Sequence, residues 1–249
     1  MDATATMLKN VIHRLGQMYI AKIVDNEVLS QNFKKHNERP IEYRFVFDCL
    51  TRLRPQTVLN VGTGTTALPS LIANCGCVVK ALDNIRDYWP TGVLNRHWKV
   101  INDDIRKPQT AERFDMITCV SVIEHVDEPL TAFKSMIALL NRGGHLVLTT
   151  PYNEQWSVPN VYALPGAAYG QNASYICRST SRRELDEWLR DSGSEIVCQE
   201  FWQFWSEEVW TLGTALPVPR EVSRTDPHQL TYLLLQKTRL VSNPAFGCS

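Results

Sequence analysis

The run Thr57-Val58-Leu59-Asn60-Val61-Gly62-Thr63-Gly64-Thr65-Thr66-Ala67 constrains this chain more than any other stretch. A β-branched apolar segment breaks into a glycine turn, and helix-forming residues follow at once. Glycines at alternate positions let the backbone turn tightly at a strand end and let a ligand approach the main chain closely. Amides at the start of the next helix then face whatever polar group sits there. The turn therefore predicts a strand–turn–helix unit with a ligand site at its bend.

The rest of the chain repeats that alternation. Leu8, Val11, Ile12, Leu15, Tyr19 and Ile23 lie at helical spacing and predict a helix over 4–30, and Pro40 marks a break. A second helical stripe is Val46, Cys49, Leu50 and Leu53. Strands are expected at Val58–Val61, Cys77–Leu82, Lys99–Ile101, Phe114–Val120, His145–Thr150, Ile196–Phe201 and Leu230–Leu235. Helices between them carry Leu68, Leu71 and Ile72, then Leu130, Phe133 and Ile137, then Leu185, Trp188 and Leu189; Ser181 and Glu184 stand at capping-box spacing before the last. Strands alternating with helices predict an α/β fold, a doubly wound and mostly parallel seven-stranded sheet. The last two strands have no helix between them and suggest an antiparallel edge. Residues 1–40 read as an N-terminal helical extension and 41–249 as one domain. Residues 152–178 lack a period, are punctuated by Pro159, Pro165, Gly166 and Gly170, and are expected to form a lid inserted into that domain.

Charge narrows the function. Lys plus Arg and Asp plus Glu both number 26, so the formal net charge is zero. Bulk electrostatics then favour neither a nucleic-acid backbone nor an anionic membrane as partner. The start of the chain carries Asp2 and Lys9 with no long apolar core, so neither a signal peptide nor a membrane span is expected. Seven scattered cysteines in a chain of this size read as free thiols in a reducing cytoplasm. Cys75 and Cys77 have no second Cys/His pair at ligand spacing, so no metal is expected there.

Alone, Gly62-x-Gly64-x-x-Ala67 serves an NAD site as well as an S-adenosylmethionine site. Asp83 ends the second strand, where a carboxylate can bind both hydroxyls of a ribose in either case. Four blocks go further: Val58-Leu59-Asn60-Val61-Gly62-Thr63-Gly64, Asp83, Asp103-Asp104-Ile105, and Phe114-Asp115-Met116-Ile117 leading into Val122-Ile123-Glu124-His125. In this order, with Gly143-Gly144 opening the next strand, residues 41–236 resemble the class I S-adenosylmethionine-dependent methyltransferases. The likeness is greatest to the group containing the ubiquinone-biosynthesis O-methyltransferases.

The resemblance implies S-adenosylmethionine as cofactor, bound by Asn60, Gly62, Thr63, Gly64, Asp83, Asp103, Asp104, Ile105 and Ser121. In that family the position of Asp104 meets the adenine amino group and its apolar neighbour, here Ile105, packs on the ring; Asp103 can exchange roles with Asp104. Asn60 stands where the family has Asp or Glu, and its amide can accept from the methionine ammonium or a loop amide. Arg44, before the first strand, can pair with the methionine carboxylate; an ordinary surface arginine is the alternative. Glu124 and His125 are the catalytic candidates, with His125 as a general base toward a hydroxyl or as a scaffold residue. Ser121 replaces an acid that in related enzymes helps to hold a divalent metal, and no histidine between Thr149 and Ser181 completes such a site. No catalytic metal is therefore expected.

Tyr152, Trp156 and Tyr162 head an aromatic stretch with few charges beyond the fifth strand, which suits a small, largely neutral acceptor; packing is the alternative account. The leading expectation is methyl transfer to oxygen of such an acceptor. An NAD-dependent oxidoreductase and a non-catalytic cofactor-binding protein of the same fold are the alternatives.

Overall fold

A computed structural model describes residues 3–29, 31, 37–85 and 95–238. The Asp87–Pro90 segment, which by its place just past the second strand is a candidate for the rim of the site, lies outside the described residues. The chain divides into two compact units, Met1–Glu38 and Arg39–Ser249. The first contains helix α1, Ala3–Leu29.

The second unit begins with α2, Arg39–Leu53, which has Pro40 and Glu42 in its first turn and Arg52 in its last. Proline is suited to a first helical turn, and both charges complement the helix dipole. Strands β1 (Thr57–Val61), β2 (Val78–Asp83), β3 (Val100–Asn102), β4 (Phe114–Val120) and β5 (Leu140–Asn153) follow, with α3 (Leu68–Asn74) and α4 (Pro129–Leu139) among them. Then come β6 (Thr180–Ser181), α5 (Arg182–Ser192), β7 (Ser194–Trp205), β8 (Ala215–Val222) and β9 (Leu230–Lys237). The order across the sheet is β3-β2-β1-β4-β5-β9-β7-β8, and the short β6 pairs with β5. From β3 through β5 all pairs are parallel, while β9 runs antiparallel to both β5 and β7.

Both faces of the sheet are buried, which explains why its central strands read as unbroken apolar runs. Leu59, Ile117, Leu146, Leu148 and Leu233 point to one face and pack with Phe133, Met136 and Ile137 of α4 and Leu185 and Trp188 of α5. Val58, Met116, Val147 and Leu234 point to the other and meet Phe45, Val46, Cys49 and Leu50 of α2 and Leu68 and Ile72 of α3. Ser181 closes a full capping box with Glu184 at the start of α5, as its spacing predicts.

The sheet has nine strands rather than seven. The last strand, β9, is not an edge but fills the place between β5 and β7. The true edge is β8, whose Pro217 and Pro219 and largely exposed side chains break the apolar pattern by which strands are recognised. Proline on an edge also blocks further pairing. Strand β5 begins at Leu140, five residues before the expected start, with Gly143 at φ 74° and a register shift against β4. A side chain at Gly144 would press on the carbonyls of Phe114, Asp115 and Asn141, at 3.0–3.1 Å, so the crossing favours glycine.

Candidate active site

The carboxyl ends of β1, β2 and β4 open on a cavity of about 310 Å³. It is lined by the Asn60–Thr66 turn, Asp83, the Asp103–Arg106 loop and the Ser121–Val122 bend, with Arg39 and Tyr43 of α2 above and His125 and Tyr175 to one side. A crevice beyond strand ends, where neighbours on both sides of β1 lead to opposite faces, is the usual ligand position in such sheets.

The glycine turn is shaped by its contacts. Gly62 has φ 69° and Gly64 φ 52°, the left-handed region that favours glycine. Any Cβ at Gly62 would fall inside the Val122 side chain, so the turn and the bend after β4 close on one another. Asn60 sits beneath, with its Oδ1 accepting from the Thr63 hydroxyl at 2.6 Å and its Nδ2 donating to Thr118 Oγ1 at 2.8 Å. Its amide therefore bonds the loop through a hydroxyl, where the sequence pointed to a loop amide or a ligand ammonium.

The acids occupy the β2–β3 side. Asp83 Oδ2 accepts from the Gly64 amide at 2.5 Å, tying the end of β2 to the glycine turn. Asp103 accepts from the amides of Asp104 and Gln109, both at 2.9 Å. Arg106 grips Asp104 in a fork, with Nη2 2.6 Å from Oδ2, and holds that carboxyl below the usual aspartate range. Ile105 between them is buried in the core. If Asp83 takes the ribose hydroxyls, as the family resemblance implies, its truncation to alanine should weaken S-adenosylhomocysteine binding by about 1.5–3 kcal/mol, the scale of a hydrogen bond to a charged group. Unchanged affinity in a calorimetric titration would remove the ribose from this corner.

His125 closes a short 3₁₀ turn, Ile123–His125. Its Nδ1 lies 2.6 Å from the Ile176 carbonyl, which can only accept, so Nδ1 carries the proton and Nε2 is the basic nitrogen. Burial pushes its pKa below the ordinary 6.5, against the smaller opposing effect of that hydrogen bond. The Tyr175 ring stands edge-on to the imidazole at 4.7 Å. Among the described residues, no group of three His, Cys, Asp or Glu side chains is arranged to hold a metal ion.

A family described as a methyltransferase domain matches residues 33–199. The chain belongs to that family. This methyltransferase is 27% identical over 178 residues to the ubiquinone biosynthesis O-methyltransferase of Coxiella burnetii, covering 65% of this chain and 73% of that protein. It is 28% identical over 169 residues to the enzyme of the same name from Alkalilimnicola ehrlichii, covering 63% and 68%. The Burkholderia thailandensis 1,6-didemethyltoxoflavin-N1-methyltransferase, solved with bound 1,6-didemethyltoxoflavin and S-adenosylhomocysteine, shares the fold at a TM-score of 0.54, with 18% identity over 90% of each chain. An S-adenosylmethionine-dependent methyltransferase from Clostridium acetobutylicum shares it at 0.51 and 12%, covering 90% of this chain and 99% of that one. Family membership replaces the oxidoreductase reading of the glycine turn.

The methyltransferase fold brings Asn60, Gly62, Thr63, Gly64, Asp83, Asp103, Asp104, Ile105, Ser121 and His125 to one cavity. Five other expected residues fall elsewhere. Arg44 is 41% exposed, pairs with Asp48 and Glu200 and lies over the Trp202 ring, because its place on α2 turns it toward β7. Glu124 is buried in the 3₁₀ turn, outside the cavity lining. Tyr152 is 1% exposed: β5 runs on to Asn153, so this ring points into the core against Phe201 and His228. Trp156 is 44% exposed and lines nothing in the cavity. Tyr162 stands one ring behind the wall, 6.4 Å from Tyr175.

Arg39, Tyr43 and Tyr175 line the cavity, although the sequence did not single them out as site residues. Tyr175 belongs to the aromatic stretch, and nothing in its spacing marks it above its neighbours. The 152–178 segment is also tied down. Val161 donates to Cys177 O at 2.7 Å, Arg178 donates to Glu124 O at 2.8 Å, and Val161 and Cys177 are buried.

Proposed function

We propose that this protein transfers the methyl group of S-adenosylmethionine to an oxygen of a small, largely neutral acceptor. The observation that carries the reading is the convergence of the glycine turn, Asp83, the Asp103–Ile105 loop and His125 on one cavity at the strand ends. In this reading Asp83 takes the ribose hydroxyls, Asp103 or Asp104 with Ile105 receives the adenine, and Arg39 takes the methionine carboxylate. Arg39 assumes the part expected of Arg44, since it lines the cavity beside the end of β4, with Nη1 3.4 Å from Val120 O. S-adenosylmethionine supplies an activated methyl group on a sulfonium. The chain contributes position and exclusion of water, which suffice for most of an in-line displacement. His125 Nε2 takes the proton of the acceptor hydroxyl, and Tyr175 forms the adjoining wall.

Names of relatives support oxygen as the methylated atom, and the low charge of residues 152–178, which bring Tyr175 to the cavity, supports a neutral acceptor. The described cysteines are all free thiols, in keeping with a cytoplasmic protein, and no described helix is long and apolar enough to cross a membrane.

Turnover is expected without a divalent metal, since Ser121 replaces the acid that would help to hold one. Activity after exhaustive chelation should match that of the untreated enzyme, and a loss restored by magnesium would sink this part of the reading. The acceptor is found by incubating the protein with labelled S-adenosylmethionine and cell extract and analysing labelled products by mass spectrometry. Label on oxygen of a small molecule is expected; label confined to protein or nucleic acid overturns the proposal.

A further inference from the structure

The ends of β1 and β4 present neutral side chains, Asn60 and Ser121, to the cavity, yet a carboxylate lies directly behind Ser121. It is Glu42 of α2, 0% exposed. Its Oε1 accepts from Ser121 Oγ at 2.5 Å and from Thr149 Oγ1 at 2.7 Å, and its Oε2 accepts from Arg39 Nη1 at 2.9 Å. A buried carboxylate is tolerated only when it is paired and hydrogen-bonded, and one side chain here joins α2 to the ends of β4 and β5. Anchoring the helix does not require it, because Phe45, Val46, Cys49 and Leu50 already pack α2 on the sheet.

Two of the three groups that Glu42 holds, Arg39 and Ser121, line the cavity. Ser121 has φ 50°, a left-handed conformation uncommon for serine, and its hydroxyl is fixed by Glu42. Arg39 carries a rigid planar fork, so fixing one Nη fixes the direction of the rest. We propose that Glu42 is the positioning residue for the amino-acid end of the cofactor, acting through Arg39 and the Ser121 bend. It supplies from α2 the negative charge that Asn60 and Ser121 do not. The proposal rests on Arg39 receiving the methionine carboxylate, as in the function proposed above.

The test compares two ligands in the full chain by calorimetry. S-adenosylhomocysteine has the amino-acid end, whereas 5′-methylthioadenosine has the same nucleoside thioether without it. Glu42→Gln should weaken S-adenosylhomocysteine by about 10- to 50-fold and leave methylthioadenosine within about twofold. Arg39→Ala should show the same split, and the double variant should lose no more than the worse single one, since coupled residues are not additive. Equal losses for both ligands, or no loss, in Glu42→Gln overturn the positioning role. An Arg39→Ala protein that binds S-adenosylhomocysteine normally overturns the Arg39 reading instead, whatever Glu42→Gln does. Should Glu42→Gln lack a cooperative thermal transition, Glu42→Asp decides. It keeps the charge but is too short to reach all three donors, so a loss selective for S-adenosylhomocysteine is expected, and an unselective one contradicts the proposal.

Discussion

Substitution of Gly62 by valine should abolish binding of S-adenosylhomocysteine, with affinity falling by at least about 100-fold. Two effects combine. Gly62 has φ 69°, which a β-branched residue adopts only with strain. The new Cβ would also fall inside the side chain of Val122, so the turn and the bend after β4 must part. That moves Ser121 and His125 away from Asp83 at the moment the glycine amides lose their approach to the ligand. Titration calorimetry gives the affinity and thermal unfolding the fold. A variant that melts cooperatively but binds normally would show that the glycine turn does not meet the cofactor.

Replacing His125 by asparagine should lower kcat by about 10²–10⁴-fold, the range for loss of a general base, with cofactor affinity within about threefold. Asparagine keeps a donor for the Ile176 carbonyl, so the turn and Tyr175 are retained while the basic Nε2 is lost. The pH profile gives a second readout. A base must be neutral to accept a proton, and burial depresses the His125 pKa from 6.5, so the acid limb of kcat/KM should lie below that value. An acid limb well above it, or a His125→Asn enzyme with normal kcat, would return His125 to the scaffold role.

What could be read in the sequence follows from locality. Strand β1 and its turn were legible because strand, glycine and helix lie within a few residues, and because burial of both sheet faces leaves an apolar run. Asp83 was legible by its place at a strand end, and the Asp103–Ile105 block through the family resemblance; both line the cavity. The β8 edge was not, since two prolines and solvent-facing side chains remove the periodic signal. Tyr152 was misplaced because Pro151 looks like the end of a strand, yet it pairs with Leu230 and the strand continues. Arg39 and Glu42 stand in the first turn of α2, and nothing in their sequence context marks them as site residues. Their meaning depends on where α2 lies over the strand ends, a tertiary fact with no local trace. Arg44 sits on the same helix but faces β7 and lies outside the cavity lining, a difference of helix face that sequence spacing alone does not show.

The central claim is that the cavity at the ends of β1, β2 and β4 binds S-adenosylmethionine, and titration of the unaltered chain tests it most directly. Calorimetry with S-adenosylhomocysteine should give saturable binding at one site per chain that Gly62→Val removes, while NAD under the same conditions should give no heat of binding. Saturable heat with NAD and none with S-adenosylhomocysteine would contradict the account.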